Sequence, residues 1–144
     1  MGSSIRNGMS VLMAQILVAE DEPTVRAFIA RALDMCGHQT SVAEDGQRAL
    51  EALADQDFDL LLSDIVMPEV DGVTLALKAS QHWPEMRILL MSGYAHERQR
   101  AHNLDALAHA VLAKPFDLAT LRKSVDAALA GRDANELREA STLQ

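Results

Sequence analysis

Four places in this chain set reactive side chains directly after an apolar run. Glu20, Asp21 and Glu22 follow "QILVA", Asp64 ends "FDLLLSD", Ser92 and Gly93 follow "RILLM", and Lys114 and Pro115 follow "AVLA". Glu20, Asp21 and Asp64, if brought together, would repel one another unless a cation lay among them. Carboxylate oxygens suit a hard divalent ion, and magnesium, which keeps several of its waters, best answers that description. An aspartate can attack phosphorus to give an aspartyl phosphate. Phosphoryl transfer then asks mainly for positioning and for neutralisation of the peripheral oxygens. Magnesium would take one oxygen, the Lys114 ammonium another, and the Ser92 hydroxyl with its neighbouring backbone a third. Gly93 places no side chain in the way. Taken singly, each group is ordinary: acids flank helix starts, aspartate forms turns, and Ser-Gly or Lys-Pro marks a loop. Their joint placement carries the reading, and it needs a fold that gathers them.

The pattern of elements supplies one. Residues Gln15–Ala19 form a continuous apolar run of the kind that fills a buried strand. Pro23 suits a first helical turn, and Val25, Phe28, Ile29, Ala32, Leu33 and Cys36 then form one stripe that Gly37 ends. A second strand is expected over His38–Ala43, and a second helix with Ala49, Leu50 and Leu53 on one face. The third strand covers Phe58–Ser63, and a third helix, lined by Val73, Ala76, Leu77 and Ser80, ends before Pro84. Arg87–Met91 and Ala110–Ala113 give two more strands, with a less regular helix between them at about 96–107. Leu118, Leu121, Val125, Ala128 and Leu129 mark a last helix closed by Gly131. Strands alternating with helices in this way predict an α/β fold: right-handed βαβ units on a doubly wound, parallel, five-stranded sheet in a single domain. Ligands of such sheets bind beyond the carboxyl ends of the strands, where all four reactive groups fall.

Composition narrows the function. The 144 residues are 49% hydrophobic and 3% aromatic, enough for one aliphatic core. A net charge of -8 argues against a nucleic-acid or anionic-membrane surface. The basic cluster "HERQR" at His96–Arg100 reads as a solvated helix face. Cys36 is the one cysteine, which fits a reducing, cytoplasmic setting, and no apolar run reaches the ~18 residues of a membrane span. The histidines share no metal-binding spacing, and the methionines read as core or leader residues. Residues 1–13 read as a flexible leader, with Met13 a second start. Residues 14–130 are the domain, and 131–144 a polar tail.

The stretches "ILVAEDE", "LLLSDIVMPEVDG", "LLMSGYA" and "AKPF" resemble, in order, the receiver domain of bacterial two-component response regulators. The likeness covers about residues 14–130 and extends to the small stand-alone receivers of α-proteobacteria. It implies a flavodoxin-like (βα)5 fold and a phosphoryl group taken from a histidine kinase or histidine phosphotransfer protein. By matching position, Asp64 is the phosphoacceptor, Asp21 the main metal ligand, and Glu20 a ligand acting through water. Val66 lends its carbonyl to the metal, Ser92 is the switch hydroxyl, Lys114 contacts the phosphoryl oxygens, and a cis peptide precedes Pro115. Such a domain catalyses only its own phosphorylation and dephosphorylation and signals to a downstream protein target.

The chain also departs from that pattern. Glu20 stands where the family often has aspartate. Val111 stands where many members carry a rotating Tyr or Phe, leaving Tyr94 as the nearby aromatic that could shield and report the phosphate. With only a short tail after residue 130, output is expected through a change of surface. Three other readings stay open. One is a receiver cut from a longer regulator or hybrid histidine kinase. Another is a haloacid-dehalogenase-like magnesium-dependent phosphatase, disfavoured because Val66 stands where that chemistry wants a general acid. The last is a nucleotide or flavin binder, disfavoured because no Gly-rich loop follows the first strand.

Overall fold

The computed structural model describes residues 13–93 and 110–142. Its strands are β1 (Gln15–Ala19), β2 (Gln39–Ala43), β3 (Leu60–Asp64), β4 (Arg87–Ser92) and β5 (Ala110–Ala113). Its helices are α1 (Pro23–Met35), α2 (Gly46–Asp55), α3 (Gly72–His82) and α4 (Leu118–Thr142). The strands form one parallel sheet in the order β2-β1-β3-β4-β5, the doubly wound arrangement expected from the sequence. The chain order reverses between β1 and β3, so the crevice of such a sheet opens at their carboxyl ends. The helix expected over 96–107, the "HERQR" cluster and Tyr94 lie outside the described residues. No described helix is long and apolar enough to cross a membrane.

Alternation along each strand divides the core into two layers. Ile16, Val18, Leu60 and Leu62 meet Ile29 and Leu33 of α1 and Leu121 and Val125 of α4. Leu17, Ala19 and Leu61 face Ala49 and Leu53 of α2 and Leu75, Ala76 and Ala79 of α3. The even-numbered positions 16, 18, 60 and 62 thus point to the α1 side, and continuing that parity aims Glu20 and Asp64 there too. Aspartates start the helices around this rim. Asp45, Asp71 and Asp117 accept from the N–H groups of Arg48, Thr74 and Thr120 at 2.7, 2.8 and 2.8 Å. Pro23 opens α1 as expected, and α1 closes with His38 N–H on Leu33 O and Gly37 N–H on Asp34 O.

Several expectations need correction. In α3 the buried stripe is Gly72, Leu75, Ala76 and Ala79, while Leu77 is 43% exposed. Gly72 sets that rotation: it lies so close to the Asp64 carbonyl and Ile65 that any Cβ would collide, and its N–H donates to Ile65 O at 2.7 Å. The last helix does not stop at Gly131 but runs on to Thr142. Gly131 instead lies inside that helix beside the Arg87 guanidinium. Met35 is neither core nor leader, being exposed at the end of α1. Phe28, placed in the buried stripe of α1, is 42% exposed, and Leu118 of the last stripe is exposed as well.

Candidate functional site

Asp64 is the last residue of β3, paired in register with Met91 of the neighbouring strand, and its side chain is largely buried. Its backbone is fixed on both sides: the Ser63 hydroxyl donates to its carbonyl at 2.9 Å, and Gly72 packs against that same carbonyl. Lys114, one residue past β5, reaches back across the rim. Its Nζ donates to Glu20 Oε1 at 2.8 Å and to Asp64 Oδ2 at 3.1 Å. The lysine's own backbone N–H donates to Ser92 O at 2.8 Å, tying the tips of β4 and β5 together. The peptide between Lys114 and Pro115 is cis, as the family pattern implied. Asp64, Glu20, Asp21 and Lys114, 94 residues apart at the extremes, therefore meet at one place.

The charges do not balance. Glu20, Asp21 and Asp64 bring carboxylate oxygens that all lie within 4.8 Å of one another. Among the described residues, three carboxylates share the ammonium of Lys114, with the Arg26 guanidinium behind them on the Glu20 carbonyl, so the carboxylates outnumber the cations. Burial first, then the Glu20 charge, push the Asp64 carboxyl up from 3.8 to about 6 despite the pull of Lys114. Burial draws the Lys114 ammonium down, but the hydrogen bond to Glu20 and the charge of Asp64 outweigh it and hold it above its ordinary value. One ammonium divided between two carboxylates stays firmly charged while leaving Asp64 undercompensated. A site that is all oxygen and short of positive charge fits a hard divalent cation.

The other predicted residues fall as follows. Ser92 ends β4 and is fully buried, in register with Ala113. Val66 is 56% exposed and lines the cleft beside Asp64. Val111 is half-buried against the α2–α3 layer, in register with Leu90, so it acts as a packing residue where an aromatic was absent. The sequence reading missed the walls of the cleft. A cavity of about 790 Å³ opens over Asp64 and Lys114, walled by Val25 and Phe28 of α1 and by Pro115 and Phe116. The two phenyl rings touch, with centroids 6.4 Å apart.

The fold and these residues define a doubly wound α/β module with an acidic, lysine-bridged site at its carboxyl rim. Residues 16–126 match the response regulator receiver domain, and the chain belongs to that family. It is 36% identical over 114 residues to the response regulator receiver protein CpdR of Brucella abortus, covering 79% of this chain and 95% of that protein. It is also 38% identical over 123 residues to the sensor kinase CckA of the same organism, covering 83% of this chain but only 13% of CckA. Among solved structures, the response regulator TrrA of Thermotoga maritima, in complex with Mg2+ and BeF, superposes with a TM-score of 0.74 at 29% identity. That match covers 81% of this chain and all of TrrA. The chain is thus a response regulator receiver of a two-component phosphorelay.

Proposed function

We propose that Asp64 accepts a phosphoryl group from a phosphohistidine on a histidine kinase or histidine phosphotransfer protein, and that the change is read by a downstream protein. One observation carries this reading: a buried strand-end carboxylate shares its lysine with a second carboxylate and lies beside a third. At neutral pH a carboxyl that titrates at about 6 is ionised, as an attacking oxygen must be. An Asp64 oxygen bonds to phosphorus as the N–P bond breaks, and that bond's electron pair returns to the imidazole. Lys114 holds one phosphoryl oxygen and the Ser92 hydroxyl another. Asp21, Asp64 and the Val66 carbonyl would hold a magnesium ion, with Glu20 acting through water. That ion, when bound, neutralises phosphoryl oxygens. TrrA, solved with Mg2+ and BeF, supports the choice of ion.

The donor must come in over the cleft, since Asp64 opens to solvent there. The Phe28–Phe116 pair gives the donor an apolar seat beside the reacting atoms, and in a chain of net charge -8 that seat would carry more of the docking than a basic patch. The test is intact mass after incubation with magnesium and acetyl phosphate. Wild type should gain one phosphoryl group that hydrolyses on standing, and Asp64→Asn should gain none. Equal labelling of the two proteins would place the acceptor elsewhere. Hydrolysis of the label by the protein's own site would be lost on removal of magnesium.

A further inference from the structure

We infer that Arg26 is a positioning residue for Asp21, its guanidinium holding the peptide from which the Asp21 side chain hangs and so placing that carboxylate for the divalent ion. The inference rests on the phosphoacceptor reading and adds to it a residue of α1. Arg26 follows Glu20, Asp21 and Glu22 closely in sequence, yet among the described residues it forms an ion pair with none of them. Nor does it line the cleft, as Val25 and Phe28 of the same helix do. Its Nη1 reaches back instead to the Glu20 carbonyl, at 2.9 Å.

That carbonyl belongs to the planar peptide joining Glu20 to Asp21, so a bond to it fixes how the Asp21 backbone leaves β1. The rest of the turn is tied as well. Glu20 N–H donates to Ala43 O at 3.1 Å, Glu22 N–H to Glu20 Oε2 at 3.0 Å, and Arg26 N–H to Glu22 O at 2.9 Å. Asp21 is the exception: it is exposed, and among the described residues no group donates to its carboxylate. It offers an oxygen within 4.8 Å of those of Glu20 and Asp64, although no bond of its own holds it there. The backbone must hold it, and Arg26 is the side chain that fastens this backbone to a helix. Glu20 is 0% exposed, so without Arg26 its carbonyl would have to turn to find a donor.

Charge alone predicts the opposite outcome. A guanidinium beside an acidic site repels an arriving cation, so removal of a mere bystander would strengthen magnesium binding. Removal of a positioning residue weakens it. The sign of the change separates the two.

Magnesium titrations followed by amide chemical shifts, on unphosphorylated wild type and Arg26→Met, read that sign. Arg26→Met keeps the apolar stem but loses donor and charge. Its magnesium affinity should fall about tenfold, as for loss of a group that orients a metal ligand. Hydrogen exchange in EDTA gives a second arm. The Glu22 N–H should exchange about tenfold faster in the variant, while the Ile65 N–H, bonded to Met91 O, should not change. Urea midpoints establish that the variant is folded. Should it not be, Arg26→Gln, whose amide is too short to reach the carbonyl, takes its place with the same expected losses. Magnesium affinity unchanged or raised, or Glu22 exchange unchanged, would overturn the inference. Neither arm requires phosphorylation, so a protein that meets both expectations yet takes no phosphoryl group from acetyl phosphate would sink the receiver chemistry and leave the role of Arg26 standing.

Discussion

The two ends of the sheet handle polar groups in opposite ways. At the amino ends of the strands, buried donors are met by acceptors from neighbouring elements. Ala14 N–H donates to His38 Nδ1 at 3.1 Å, and Gln15 N–H to Asp59 Oδ2 at 2.9 Å. Asp59 N–H returns a bond to Gln15 O at 2.8 Å, and Arg87 Nε donates to Ala128 O at 2.9 Å. These bonds join β1, β2, β3, β4 and α4 at little electrostatic cost, because each of these donors meets an acceptor. At the carboxyl ends, three carboxylates crowd around one ammonium. One end is cross-linked by paired donors and acceptors; the other is held short of positive charge. Stability and binding have been assigned to different ends of the same five strands.

Removing Lys114 should break this contrast most severely. In Lys114→Ala the fully buried Glu20 carboxylate loses its ammonium partner. Loss of one partner of a buried pair should cost about 3 kcal/mol, the low end of the range because the lysine is partly exposed. Urea unfolding in EDTA reads that loss. Magnesium, which binds only the folded site, should recover a larger part of it in the variant than it adds to wild type. A variant as stable as wild type in EDTA would mean that the rim is not short of positive charge.

Asp64→Asn should act the other way and stabilise the metal-free protein. The folded pKa of about 6 lies above the ordinary 3.8, so between those values the folded state keeps a proton the unfolded chain has released. Stability of wild type in EDTA should accordingly fall as the pH rises through that window, and the variant should show no such fall. At pH 7.5 the neutral amide should be worth about 2 kcal/mol, somewhat under what the two-unit shift converts to, since Lys114 loses a partner. Magnesium needs the ionised carboxylate, so its affinity in wild type should weaken as the pH drops below about 6. A melting temperature lower in Asp64→Asn than in wild type at pH 7.5 would count against the excess of negative charge.

Much of this was legible in the sequence because buried parallel strands announce themselves. "QILVA" and "LLLS" are continuous apolar runs, and a residue at the end of such a run must stand at the rim. Asp64, Glu20, Asp21, Ser92 and Lys114 could therefore be gathered before any coordinates. Helix rotation was not legible in the same way. Leu75 and Leu77 are equally apolar, and what decides between them is a backbone approach at Gly72 that no periodicity reports. Gly131 has the residue type of a helix stop, but its neighbour Arg87 lies far off in sequence. The acids of "AEDE" look alike in a string, yet strand parity buries Glu20 and leaves Asp21 in solvent. The aromatic wall was hidden because Phe28 fits the stripe of α1 and only the cleft explains its exposure.

The smallest expected effect lies at the amino end and has the opposite sign with pH. Burial holds His38 below its ordinary 6.5, against the raising influence of Asp126. Its Nδ1 accepts the Ala14 N–H, and a protonated ring would set N–H against N–H there. The unfolded chain takes up the proton first, so stability should fall as the pH drops below 6.5, the reverse of the trend from Asp64. His38→Asn keeps an acceptor near the position of Nδ1 but cannot titrate, so its stability should lose this acid slope. His38→Ala forfeits the acceptor altogether and should cost about 1 kcal/mol at pH 7.5. Neither substitution should alter magnesium affinity, because the bond lies at the far end of the strands from the carboxylates. Urea midpoints between pH 5 and 7.5, taken beside magnesium calorimetry, separate the two ends. A His38 variant that retained the acid slope would move that titration to another group, and one that lost magnesium affinity would join two ends that the fold keeps apart.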